Sequence, residues 1–217
     1  MEQHRTTAES TRDTHVLQGT AEHLAERYRG IFTPQMVERY VFESYATLGR
    51  TARIKTHLAT LAGRFADDRL RALAQSMGSI AKDHPQVLFV CVQNAGRSQM
   101  AAALLSKVSG GQVEVRSAGS LPAGQIHPLA EDVLRERGID LADAFPKPLT
   151  DDVVRAADYV ITMGCGDTCP IYPGKQYLDW DVADPQDATL EDAREILADI
   201  EARVQALWER LLAPQGR

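Results

Sequence analysis

The period of the hydrophobic pattern changes at Pro85, and this change restricts the possible folds more than any other feature of the chain. Before it, apolar residues recur every three to four positions. After it, short β-type runs alternate with stretches of helical spacing. The runs QVLFV (86–90), QVEVR (112–116), DYVITM (158–163) and KQYLDW (175–180) are predicted strands. Helices are predicted to start at Ser98, near His127–Pro128, at Thr150 and at Thr189, the last running to about Leu212. Strands joined through helices pair in parallel, because the crossover returns the chain to the same end of the sheet. The expected fold class is therefore α/β, a parallel sheet with helices on both faces, preceded by an all-α three-helix bundle. Ligands of open sheets bind outside the carboxyl ends of the strands, and Cys91 stands at such an end.

The bundle is read from periodicity. Residues 1–15 are polar and expected to be disordered. Leu17, Ala21, Leu24, Ala25 and Tyr28 then mark one helix. A second opens with Thr33 as N-cap and Pro34 in its first turn, buries Val37, Tyr40, Val41, Tyr45 and Leu48, and stops at Gly49. A third runs through Ile54, Leu58, Leu61, Phe65, Leu70, Leu73 and Met77, with a break expected near Gly63. The expected division is a bundle over 16–80 and a second domain over 81–217. Residues 1–85 carry 12 Lys and Arg against 10 Asp and Glu, whereas residues 86–217 carry 12 against 20, so the two parts attract each other weakly. Phe32, Tyr40, Phe42 and Tyr45 exceed what one face of a small bundle buries, which predicts a homodimer formed through it.

The net charge of −6 argues against general affinity for nucleic acid or anionic membranes. No apolar run reaches the ~18 residues of a membrane span, and the N-terminal residues lack the apolar core of a secretory signal. The expected compartment is the cytoplasm, where a disulfide is more often catalytic than structural. Six histidines without ligand spacing predict no metal site.

The segment CVQNAGRS (91–98) carries chemistry. A loop between a strand and a helix can aim the N–H groups of Val92, Gln93, Asn94, Ala95 and Gly96 at one point, and the helix N-terminus adds a field that favours negative charge. Arg97 supplies a planar fork matching two oxygens of a tetrahedral oxyanion. The same surroundings favour the thiolate of Cys91, to which Ser98 can donate, while Asn94 can hold an unusual backbone conformation and Gly96 keeps the approach open. The bland alternative is a buried strand-end cysteine beside a surface arginine.

Residues 86–212 resemble the low-molecular-weight protein tyrosine phosphatase superfamily, and within it the arsenate reductases of the thioredoxin-coupled type. The resemblance rests on Cys91-x5-Arg97-Ser98, on Ser117-Ala118-Gly119, and on Asp184-Pro185 near the end. It implies Cys91 as nucleophile, Asn94 and Ser98 as loop supports, Arg97 as oxyanion clamp and Asp184 as general acid; alone, Asp184-Pro185 would be an ordinary turn. Phosphatases of the superfamily usually continue Arg-Ser with proline and carry tyrosines after Asp-Pro, whereas this chain reads RSQMA and DPQDATL. Cys165 and Cys169 add the two further thiols that a two-electron reduction of As(V) uses. Arsenate would bind Cys91, Cys165 would attack Cys91 to release arsenite, and Cys169 would resolve the bond. The implied reductant is thioredoxin or a low-molecular-weight thiol, with no bound cofactor, and the substrate is arsenate or a phosphate-like oxyanion. Three alternatives stay open: a tyrosine phosphatase, a non-catalytic oxyanion-binding scaffold, and a Cys165/Cys169 pair serving zinc or the core. The bundle has no counterpart in the minimal family domain.

Overall fold

The computed structural model describes residues 2–51, 57–164 and 169–213. The chain divides into two compact units, Met1–Ala81 and Lys82–Arg217.

The first unit packs three helices, α1 (Glu2–Arg27), α2 (Pro34–Gly49) and α3 (Leu58–Ser76). Thr33 accepts from the Met36 N–H at 3.2 Å and Pro34 occupies the first turn, so α2 begins as predicted. Leu17, Leu24 and Tyr28 from α1, Val37 and Val41 from α2, and Ala62, Phe65 and Leu70 from α3 are all buried. The Tyr28 hydroxyl donates to the Asp67 carboxylate at 2.7 Å, and its burial pushes its titration well above the ordinary phenol range.

Three expectations for this unit need correction. Residues 2–15, expected to be disordered, belong to α1. That stretch contains no glycine or proline to break a helix, and Asp13 accepts a 2.7 Å hydrogen bond from Tyr45 that holds the phenol up at about 12. α3 is unbroken at Gly63, which instead permits close approach: a Cβ there would lie 2.8 Å from Thr20 Cγ2. Ile54 lies outside the described residues. The surplus of exposed aromatics is also absent, since Phe32 and Tyr40 are buried and Phe42 and Tyr45 are half-buried. Phe32 and Tyr40 thus belong to the bundle core, while Phe42 and Tyr45 stay partly exposed.

The second unit contains a four-stranded parallel sheet ordered β2-β1-β3-β4, with β1 (Gln86–Cys91), β2 (Glu114–Gly119), β3 (Tyr159–Met163) and β4 (Gln176–Asp179). The helices are α4 (Arg97–Ser109), α5 (Pro128–Glu136), α6 (Asp151–Ala156) and α7 (Leu190–Leu212). β1 is central and buried at every position. Val87, Phe89 and Cys91 join Tyr159, Ile161 and Met163 in one core with α4, α5 and α7, and Phe89 meets Trp180 at 5.6 Å between ring centroids. Leu88 and Val90 point to the opposite side of the pleat, where α6 approaches β1. β2 starts two residues later than predicted and extends through Ser117-Ala118-Gly119, because the parallel register pairs Cys91 with Gly119. The order reverses direction at β1, so the carboxyl end of β1 opens on the crevice where parallel sheets bind ligands.

α7 closes the core over α4 and α5. Its start is a capping box: Asp192 N–H donates to Thr189 Oγ1 at 3.2 Å, and the Asp192 carboxylate accepts from Thr189 N–H at 2.8 Å and from its hydroxyl at 2.7 Å. The bond from the Thr189 side chain, then that from its backbone, holds the Asp192 carboxyl below its ordinary value. A depressed folded-state pKa contributes stability that is fully present above the unfolded value and is lost as pH falls through the folded one. The stability difference between the parent and Asp192→Ala should therefore be constant near neutrality and shrink as pH is lowered from about 5 toward about 2. Urea melts across that range check this; a difference that grows in acid would contradict the assignment.

Candidate active site

The loop of residues 92–96 leaves β1 and enters α4, and an outer segment sets its shape. The carbonyls of Cys91, Val92, Gln93 and Ala95 accept from the N–H groups of Ser120, Leu121, Ala123 and His127 at 2.8–3.2 Å. In a trans peptide the C=O and the following N–H point in opposite directions, and the described residues contain no cis bond. Turning these four carbonyls outward therefore turns the N–H groups of Val92, Gln93, Asn94 and Gly96 inward. The Asn94 N–H confirms this geometry by reaching Cys91 Sγ at 3.2 Å.

Asn94 is the one described non-glycine residue with positive φ, at 48°, and it is fully buried. Asparagine tolerates this left-handed conformation because its short amide can bond locally, and here the amide is held on several sides. Its Oδ1 accepts from Lys147 N–H at 2.8 Å and Gln99 Nε2 at 3.1 Å, and its Nδ2 donates to Ser98 Oγ at 2.8 Å. Ser98 Oγ lies 3.0 Å from Cys91 Sγ.

Arg97 is also buried, and its guanidinium donates to Val182 O at 3.3 Å and pairs with the Asp184 carboxylate. The other Asp184 oxygen accepts from Gln186 N–H at 3.1 Å, and Gln93 bonds Gln186 at 3.0 Å. A Cβ on Gly96 would stand 2.8 Å from Pro185 Cγ, so the Asp-Pro turn packs directly on the loop. Cys91, Asn94 and Ser98 thus form one hydrogen-bond network, and Arg97 and Asp184 form a pair whose turn packs on the same loop.

Cys91 pairs in register with Met163, so the chain leaves β3 beside the sulfur. Gly164 follows with φ at 70°, and a Cβ there would stand 2.9 Å from Arg97 Nη1. Cys165 lies outside the described residues. Cys169 is buried, its sulfur 4.0 Å from Pro170 O. Tyr177 fastens the backbone beyond it, donating to Pro170 O at 3.1 Å and accepting from Tyr172 N–H at 2.9 Å. Among the described residues no cluster of His, Cys, Asp or Glu could hold a metal ion, and no helix is long and apolar enough to cross a membrane.

Sequence patterns missed several supports. Gln99 donates to Asn94 O, Asn94 Oδ1 and Phe145 O, each at 3.1 Å. Lys147 acts through its backbone and Val182 through its carbonyl, which no residue type discloses. Gly119 was readable only as part of a motif.

Comparison with known proteins matches residues 86–215 to the low molecular weight phosphotyrosine protein phosphatase family and residues 17–74 to the protein-tyrosine-phosphatase-like N-terminal domain. The solved structure of the Corynebacterium glutamicum thioredoxin-dependent arsenate reductase is 55% identical, with a TM-score of 0.84 over 93% of this chain and 99% of that one. A glutaredoxin arsenate reductase of Synechocystis is 33% identical over 58% of this chain and 98% of its own length. An arginine phosphatase of Geobacillus stearothermophilus shares the fold at 30% identity and a TM-score of 0.53, over 60% of this chain and 95% of that one.

A Cβ at Gly119 would come within 2.7 Å of Val92 O and 2.9 Å of Asn94 N and Cβ, none of them the end of a flexible side chain. Gly119→Ala should therefore displace the loop and weaken oxyanion binding at least about tenfold, as a misplaced anion site loses several hydrogen bonds together. Phosphate titration by calorimetry tests this; unchanged affinity would show that the loop yields without cost.

Proposed function

The chain belongs to the low molecular weight phosphotyrosine protein phosphatase family, and we propose that it is an arsenate reductase of that family, converting arsenate to arsenite with thioredoxin as the external reductant. The observation that carries this reading is the likeness to the Corynebacterium glutamicum thioredoxin-dependent reductase over nearly the whole chain, bundle included.

The chemistry follows from the residues. Arsenate enters the ring of inward N–H groups, and two of its oxygens take the Arg97 fork, displacing the Asp184 carboxylate from it. The Cys91 thiolate, stabilised by the Asn94 N–H and the Ser98 hydroxyl, attacks arsenic. An S–As bond forms and an As–O bond breaks, and Asp184, having taken a proton from the entering hydrogen arsenate, passes it to the departing oxygen, which leaves as water. The Cys165 thiolate then attacks Cys91 Sγ. The new S–S bond releases the S–As electron pair to arsenic, which leaves as As(III), so two thiols becoming one disulfide supply the two electrons. Cys169 attacks the Cys91–Cys165 bond, frees the Cys91 thiolate and leaves a Cys165–Cys169 disulfide. A dithiol reductant, thioredoxin in this proposal, reduces that disulfide in a cytoplasmic setting. The exit of the chain from β3 beside Cys91 supports this relay, because it starts the segment carrying both partner thiols next to the nucleophile.

A phosphatase would share the first step and then need only water. Arsenate-dependent oxidation of reduced thioredoxin separates the two: we expect electrons consumed in proportion to arsenate added. Phosphate-ester hydrolysis without thioredoxin oxidation would overturn the reductase reading.

Arg97→Lys should disable turnover although the charge is kept, because an ammonium cannot reproduce a planar two-oxygen contact. Steady-state kinetics within a few-fold of the parent would remove Arg97 from the clamp.

Cys165 and Cys169 should have separable phenotypes. After one arsenate turnover, Cys169→Ser should hold a Cys91–Cys165 disulfide, whereas Cys165→Ser should form the adduct without releasing arsenite through an internal bond. Mass mapping of disulfides reads both, and a fully reduced pair in the turned-over parent would point to an external thiol.

A further inference from the structure

We propose that Gln99 is a positioning residue that sets the reactivity of Cys91 by acting through Asn94 and Ser98. The proposal rests on the assignment of Cys91 as nucleophile and deepens it. Gln99 is buried, and its Nε2 faces Asn94 O, Asn94 Oδ1 and Phe145 O at 3.1 Å each. All three are carbonyl-type oxygens that can only accept, so the amide must present its NH2 group to them.

The orientation of each next group then follows. Asn94 Oδ1 receives two donors, Gln99 Nε2 and Lys147 N–H, which turns the other end of its amide, Nδ2, onto Ser98 Oγ. Ser98 Oγ accepts that hydrogen and keeps its own for Cys91 Sγ at 3.0 Å. A thiolate only accepts, so the chain Gln99, Asn94, Ser98, Cys91 has one consistent direction of donation. Were the Asn94 amide reversed, Oδ1 would face Ser98 and draw its hydrogen away from the sulfur. Gln99 supplies one of the two donors that oppose this reversal, in a place where water does not reach.

The test uses the full-length reduced protein, the variants Gln99→Met and Ser98→Ala, and the double variant. Alkylation of each cysteine by iodoacetamide is followed by mass spectrometry across pH, with thermal melts alongside. Gln99→Met should slow alkylation of Cys91 near neutral pH roughly threefold to tenfold, the scale of one buried hydrogen bond, and the loss should vanish at alkaline pH where every thiol is ionised. In the Ser98→Ala background Gln99→Met should cause no further loss, because its effect passes through the serine. A Gln99→Met profile matching the parent, a loss of equal size at every pH, or full additivity with Ser98→Ala would each overturn the proposal. If the methionine variant fails to fold, Gln99→Glu keeps the size, presents only acceptors when ionised, and is judged by the same criteria. The parent provides the separate control: if its Cys91 reacts no faster than Cys165 and Cys169 near neutrality, the nucleophile assignment falls and this proposal with it, whereas a reactive parent with an unaltered Gln99→Met profile overturns the proposal alone.

Discussion

The left-handed backbone at Asn94 is the constraint on which the site depends. The loop of five residues between β1 and α4 makes its turn with one residue in the left-handed region. Such a turn would cost on the order of 1–3 kcal/mol for a residue other than glycine. The buried amide offsets this cost by bonding Ser98, Gln99 and Lys147. Glycine could adopt the turn, but would leave the Lys147 N–H and the Ser98 hydroxyl without these partners. The conformation of the loop and the presentation of Ser98 to the sulfur are thus one structural solution.

The parallel sheet supplies the second requirement, a fixed frame. β1 is flanked on both sides, so Cys91 leaves from an interior strand, level with Gly119 on one neighbour and Met163 on the other. The first neighbour continues into the segment whose N–H groups hold the loop carbonyls outward. At the end of β2, Gly119 exchanges 2.8 Å hydrogen bonds with Lys147 O and Leu149 N–H, and Lys147 N–H in turn holds the Asn94 side chain. Loop, outer segment and the residues near 147 are therefore tied into one circuit by backbone hydrogen bonds and the Asn94 side chain.

Much of this was legible in the sequence, for reasons that differ by element. β1, α2 and α7 were readable because local chemistry decides them: a buried apolar run, Thr33 with Pro34, and Thr189 as a helix start. The grouping of Cys91, Asn94, Arg97 and Ser98 was readable because eight consecutive positions bring them together. What stayed hidden was set by partners distant in sequence. The end of β2 was misjudged because Ser117 and Ala118 become strand only through pairing with β1. Residues 2–15 looked disordered because polar composition does not reveal the bond between Tyr45 and Asp13. The aromatics of α2 looked surplus because burial against the other helices cannot be seen from one helix face. Gln99 was noticed as a difference from proline, but its role required knowing where Phe145 falls in space.

The pairing of Arg97 with Asp184 has a consequence for selectivity. A carboxylate tethered beside its arginine is a competing ligand present at an effective concentration on the order of millimolar or more. In the proposed function, any anion entering the loop would have to displace it. Chloride and simple carboxylates, which cannot engage the fork and the inward N–H groups together, would gain too little to do so. A doubly charged tetrahedral oxyanion would meet both sets of donors. One aspartate would then set an affinity threshold against the abundant weak anions.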